Sequence, residues 1–230
     1  MRYNAYNQPI GDAVHSFQQP DKPSIQMIEG KYSKLEHLNT SHLDDLFELL
    51  CDTDNDLNWT YLPNEPIHDK DEFSTLINNR IYSEDPYFFA IVDKTSDKAL
   101  GIISLLRINT KASSIEVGHI HYSPLLKRTR IATEVQYLLA KYVFETLGYR
   151  RYEWKCDSLN DPSKRAAKRL GFTYEGTFRQ ALVYKGRNRD TDWFSIIDKE
   201  WPNIKQQYEH WLDEKNFNSD GTQIHKLSIL

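Results

Sequence analysis

Cysteine is scarce: Cys51 and Cys156 are the only two in 230 residues. Two thiols so far apart make neither a metal-ligand spacing nor a disulfide framework. No metal site is expected, and a reducing, cytoplasmic setting is the default. No apolar run approaches the roughly 20 residues that a membrane helix needs, and the opening MRYNAYNQPIGDAV has no apolar signal-peptide core. Membrane association is therefore not expected. The glycine-rich phosphate loops GxGxxG and GxxxxGK[ST] are missing too, as are internal repeats and low-complexity tracts.

What is present describes a folded chain with an uneven charge. Charged residues are 27% and aromatics 13%, a composition able to build a core. The net charge of −4 argues against general nucleic-acid binding. Residues 123–190 nevertheless hold 15 Lys/Arg against 7 Asp/Glu, while the remainder holds 14 against 26. A cationic segment within an acidic chain suits one localised anionic ligand; the alternative is clustering on solvated helix faces.

Hydrophobic periodicity divides the chain. Residues 1–23, with three prolines, read as an irregular arm. A strand is expected within 25–36, and a short helix over 43–50 after Thr40 and Ser41 as caps. Residues 57–68 read as loop. Phe73, Leu76, Ile77 and Ile81 predict a helix over 71–82. Three strands with short polar connections, 86–94, 99–109 and 114–123, fit an antiparallel meander. Ile131, Val135, Leu138, Leu139 and Tyr142 then follow helical spacing up to Gly148. A strand at 149–156 and a helix at 162–170 follow, the latter with Asp161 as expected N-cap and Pro162 in its first turn. Strands at 172–185 and 191–198 flank a turn at Gly186-Arg187-Asn188, and 201–214 reads as a helix. Residues 24–215 form one domain in this reading, with 216–230 a loosely ordered tail. Strand 114–123, helix 131–147 and strand 149–156 make a right-handed crossover, so that pair should be parallel. The expectation is an α/β fold: a mixed, mostly antiparallel sheet with one parallel pair and helices on both faces.

The stretch SPLLKRTRIATE (123–134) sits where that strand passes into its helix. A helix N-terminus offers unpaired N–H groups and partial positive charge, and Lys127, Arg128 and Arg130 add to both. With the segments around it, the stretch resembles the GCN5-related N-acetyltransferase (GNAT) family, in its ribosomal-protein N-terminal acetyltransferase branch. The family's coenzyme A loop reads Q/R-x-x-G-x-G/A, against Lys127-Arg128-Thr129-Arg130-Ile131-Ala132 here. Ala132 fits, Lys127 is a basic substitute, and Arg130 stands where a glycine is usual. SIEVGHIHYSP, EWKCDSLNDPSKRAAKRLGF and GRNRDTDWFS are similar to the family's fourth strand, fifth strand with its helix, and closing hairpin.

The resemblance implies direct transfer of acetyl from acetyl-coenzyme A (acetyl-CoA), as co-substrate, to a primary amine on a small molecule or a peptide. It implies that N–H groups of residues 128–133, from Arg128 through Thr129, Arg130, Ile131 and Ala132 to Thr133, hold the pyrophosphate. The parallel strands should splay, with Gly118 as the bulge. Glu116 matches a general-base position, the alternative being a buried carboxylate paired with an arginine. His119 and His121, by simple alternation, face away from Glu116. Asn160 matches a pantetheine-binding asparagine, and Ser163 a serine near the coenzyme sulfur. The tyrosine acid of many relatives is Ala167 here. Trp59, Tyr61, Asp190 and Trp193 are candidate acceptor contacts, or packing residues. Cys156 reads as a buried strand thiol. A catalytically idle coenzyme-binding or interaction module on the same fold is the alternative, and monomer and homodimer are both open.

Overall fold

A computed structural model describes all residues except 16 and 230. Its centre is an eight-stranded sheet in the order β3-β4-β5-β6-β7-β8-β10-β9. The strands are β3 (Met27–Glu29), β4 (Ser33–His37), β5 (Tyr87–Asp93), β6 (Ala99–Asn109), β7 (Ser114–Tyr122), β8 (Arg151–Asp157), β9 (Thr173–Tyr184) and β10 (Arg187–Ile197). Every neighbouring pair is antiparallel except β7–β8, because helix α3 (Arg130–Lys141) carries the chain from one to the other.

Alternation in the strands sorts the core into two layers. Phe89, Ile91, Ile103, Leu105, Ile115 and Val117 pack with α3 and with α5 (Trp201–Leu212). Phe88, Ala90, Val92 and Ile102 face α1 (Leu43–Leu50) and α2 (Lys70–Ile81). Helices thus cover both faces, and the expected fold class holds.

Several local expectations change. The arm contains a small hairpin, β1 (Arg2–Tyr3) with β2 (Pro9–Ile10). The expected strand at 25–36 is a hairpin, β3–β4, folded at residues 30–32. Asn39, not Thr40 or Ser41, caps the turn before α1, accepting from the Ser41 N–H. A 3-10 helix at Thr53–Trp59 enters the region read as loop. The helix after the basic loop ends in a π turn, Tyr142–Thr146, before Gly148 at φ 77°. Asn160, not Asp161, caps α4 (Asp161–Arg169). The last hairpin turns at Lys185 (φ 49°) and Gly186 (φ 69°), so β10 starts at Arg187; two consecutive positive φ angles match the twist of the flanking strands.

After α5, parts of the segment expected to be loosely ordered make contacts with the rest of the chain. Leu227 is buried against the core, Asn216 donates to the Trp211 and His225 carbonyls, and the Trp211 indole donates to Gln223.

Candidate active site

The parallel pairing of β7 with β8 runs only from Ser114↔Arg151 to Val117↔Trp154. Beyond it, residues 118–122 and 155–157 part, leaving backbone groups of both strands free for an extended guest. The cause is a bulge. Opposite β6, Ile102 pairs with His121 but Ser104 with Gly118, so β7 carries an extra residue. The left-handed backbone falls on His119 (φ 48°), not on Gly118 as expected. Gly118 serves close approach instead, since a Cβ there would meet Leu106 Cδ2 at 2.9 Å.

The bulge also reverses the strand's parity. Ile120 and Tyr122 pack on the α3 side. His121 meets Trp59 edge-on at 4.6 Å, and His119 meets Phe88 at 5.4 Å. Both histidines therefore share the face of Glu116, contrary to simple alternation. Burial, with Arg80 as the next cause, lowers the His119 pKa to about 4 and that of His121 to about 3.

The loop after β7 and the loop after β8 lie at the carboxyl ends of the parallel pair, the usual place for ligands in such sheets. Thr129 caps α3 and takes the Ala132 N–H through its hydroxyl (3.1 Å). The N–H groups of Arg128, Arg130 and Ile131 have no hydrogen-bond partner among the described residues. The expected cradle of 128–133 thus narrows to these three, and they fit an anion. Positive φ falls on Arg128 (64°), while Arg130 is the first helical residue. Its guanidinium lies 3.5 Å from the Phe217 ring centre and 4.5 Å from that of Tyr32. Arginine is tolerated in place of glycine because the backbone is helical and the side chain stacks between two aromatics. The Lys127 ammonium donates to the Asn58 side chain.

On the other loop, Asn160 Oδ1 accepts the Ser163 N–H at 3.2 Å, so its amide NH2 is what could meet a ligand carbonyl. Ser163 Oγ accepts from the Trp154 indole at 2.9 Å, which orients its own proton elsewhere. Cys156 beside it is buried, and burial raises its pKa to about 11; it is a protonated thiol, not a nucleophile.

Glu116, 5% exposed, is paired as the plainer reading expected. Arg107 Nε lies 3.0 Å and Lys155 Nζ 2.8 Å from its Oε2, as ion pairs without aligned hydrogen bonds. Lys155 also meets Glu153 at 2.7 Å and lies 3.8 Å from the Trp193 ring centre. Arg151 continues the row from Glu153 to Glu175. Burial raises the Glu116 pKa against the pull of Lys155 and Arg107. The lysine was legible in advance: RYEWKC alternates Arg151, Glu153, Lys155 with buried Tyr152, Trp154, Cys156. What the strand alone does not show is that Glu116 lies opposite Glu153.

The acceptor candidates separate. Trp59 has no exposed surface and donates to the Leu50 carbonyl, which is core packing. Tyr61 donates to the Leu159 carbonyl. Asp190 accepts from the Gln180 N–H and the Asn188 amide, pinning the hairpin. Trp193 rests on Phe178 at 4.5 Å, its Nε1 enclosed without a partner. Lys185, missed by the sequence reading, donates to the Trp59 carbonyl, and Arg187 to that of Thr60. The hairpin tip is thereby tied to the loop that follows the first helix.

A mixed sheet opened at one parallel pair, with a helix N-terminus at the opening, is the architecture that the sequence resemblance implies. The chain belongs to the acetyltransferase (GNAT) domain family, whose sequence profile matches residues 34–173. A crystal structure of a GCN5-related N-acetyltransferase from Brucella melitensis superposes with TM-score 0.91 at 45% identity, covering 93% of this chain and 97% of that one. A GNAT-family protein from Chromobacterium violaceum ATCC 12472 gives 0.79 at 40% identity, covering 85% and 98%. The ribosomal-protein-serine acetyltransferase of Escherichia coli (strain K12) is 26% identical over 165 residues, 70% of this chain and 90% of that protein. Three other curated relatives are matched over only 50–63% of their own length.

Proposed function

We propose that the protein is an acetyl-CoA-dependent N-acetyltransferase acting by direct attack of a primary amine in a ternary complex. The observation that carries this reading is the parting of β7 and β8 beyond Val117 and Trp154, with the free N–H groups of Arg128, Arg130 and Ile131 beside it. Acetyl-CoA would supply the activated acyl group as a thioester. The three N–H groups and the helix dipole would bind its pyrophosphate, with Arg128 as assisting charge. Free backbone groups of β7 would hydrogen-bond the extended arm, the Asn160 amide would meet one of its carbonyls, and strand N–H groups would polarise the thioester.

Glu116 would accept the proton from the acceptor ammonium through water, its burial favouring the protonated form. Ser163, oriented by Trp154, would donate a hydrogen bond to the departing sulfur, the role left open by Ala167. Trp193 and Tyr61 would border the acceptor. The name of the Escherichia coli relative, a ribosomal-protein-serine acetyltransferase, supports a protein acceptor as one class, and small amines are the other. A cytoplasmic location fits this chemistry.

Calorimetric titration with acetyl-CoA, followed by free-thiol release with peptide and small-amine panels, tests the proposal. Binding and amine-dependent thiol release are expected. Binding without release from any acceptor would point to an idle coenzyme-binding module instead, and absence of binding would refute both.

A further inference from the structure

A buried cation without a salt-bridge partner among the described residues lies on the same sheet face as the β7 bulge. Arg80, in the last turn of α2, is 7% exposed. Its Nη1 is enclosed without a hydrogen-bond partner. Among the described residues no carboxylate pairs with it; the titratable groups near it are Cys51, itself buried and protonated, and the neutral His119 and His121. The guanidinium lies 5.2 Å from the Phe88 ring centre, and His119 packs on the same ring. His121 is 2% exposed, and both its ring nitrogens lack partners. Arg107 also bears on His119, and Lys127 on His121.

An unpaired buried arginine is strongly unfavourable, because burial removes its water and nothing replaces it. Arginine stays charged across the accessible pH range, so neutralisation is no remedy. Two neutral histidines supply further N–H donors. A planar fork of donors with unmatched positive charge is complementary to a carboxylate or phosphate.

We propose that Arg80, with His119 and His121, forms a cradle for an oxyanion, carboxylate or phosphate, carried by a small amine acceptor. This rests on the acetyltransferase reading and narrows it. The cradle shares a sheet face with Glu116, so the anion would hold the acceptor while its amine faces the opened strands. Smallness follows from the roof: Lys185 and Arg187 bind the Trp59 and Thr60 carbonyls, and Tyr61 binds that of Leu159. These ties hold the hairpin tip against the segment that carries Trp59, the ring His121 packs on, and so narrow the approach on that side.

Two arms test it. In the first, acetate and inorganic phosphate are titrated separately, at constant ionic strength, into wild type, Arg80→Gln and Arg80→Lys. Melting temperature and the histidine ring NMR signals are followed. A rise of about 2–4 °C in wild type is expected, with His119 and His121 signals moving, no rise in Arg80→Gln and a partial one in Arg80→Lys. The better anion identifies the group. In the second, thiol release is compared for amino acids against their carboxamides and for O-phosphoethanolamine against ethanolamine. The anionic member is expected to have a kcat/KM roughly 10- to 100-fold higher in wild type and under about threefold higher in Arg80→Gln.

Equal rates for anionic and neutral acceptors would overturn the cradle and leave the transferase standing. Anion binding that needs Arg80, with no acceptor acetylated, would uphold the cradle as an anion site and overturn the transferase. Wild-type melting temperature and histidine signals indifferent to both anions would overturn the cradle even if the variants failed to fold.

Discussion

At the scale of single residues, burial sets what each ionisable group can do. His119 and His121 are held neutral, with pKa values of about 4 and 3, against roughly 6.5 in an unfolded chain. Between about pH 4 and 6.5 the unfolded chain binds protons that the folded chain refuses, so unfolding free energy rises with pH across that window. Each histidine contributes up to about 1.4 kcal/mol per pH unit. Urea unfolding at pH 5 and pH 7 should therefore show a steeper pH dependence for wild type than for a His119→Gln/His121→Gln variant; equal slopes would count against neutral burial. Glu116→Gln should lower kcat about 10- to 100-fold at pH 7. It should also lower the melting temperature, because Lys155 keeps Glu153 but loses one of its two carboxylates. Ser163→Ala should lower kcat several-fold with little change in KM, since a thiolate leaves readily without full proton transfer.

Elements explain why Arg130 does not spoil the loop. The N-cap at Thr129 is local: its hydroxyl takes the Ala132 N–H, and the chain becomes helical at the next residue. The pyrophosphate contacts proposed for this turn are backbone groups, indifferent to the side chain. Arg130→Ala should cost about 0.5–2 kcal/mol through loss of the Tyr32 and Phe217 stacking, yet change acetyl-CoA affinity less than twofold. Thr129→Ala should cost about 1 kcal/mol and weaken acetyl-CoA measurably, because the first turn loses its anchor. Chemical denaturation paired with calorimetry separates the two; equal effects on affinity would refute the backbone account.

For the whole molecule, the segment after α5 packs back onto the core. Leu227 packs on the core shared by α3 and α5, and Phe217 carries the Arg130 stack. Deleting residues 218–230 should destabilise the protein by about 2–4 kcal/mol, read as a lower denaturant midpoint; an unchanged midpoint would mean that this segment packs without contributing. The ties from Lys185 and Arg187 to the loop at Trp59 and Thr60 join residues 126 and 127 apart in sequence, a geometry that no local pattern reports.

Much of the architecture was legible because its determinants act over a few residues. Helical spacing from Ile131 to Tyr142, the glycine at 148, and the strand–helix–strand unit that makes β7 and β8 parallel follow from periodicity and chain handedness. The basic loop at a helix N-terminus was legible for the same reason. Three things were not. A bulge was expected at Gly118, but its place at His119 depends on register against β6, and it turned both histidines onto the face of Glu116. The pairing of Glu116 with Lys155 and Arg107 depends on two neighbouring strands. Arg80, an ordinary residue near a helix end in sequence, became a buried cation only when Phe88 and the bulged strand packed over it. Local periodicity therefore determined which elements form and in what order. Register and packing between distant segments decided which charges are buried, which are paired, and that Arg80 is buried without a salt bridge among the described residues.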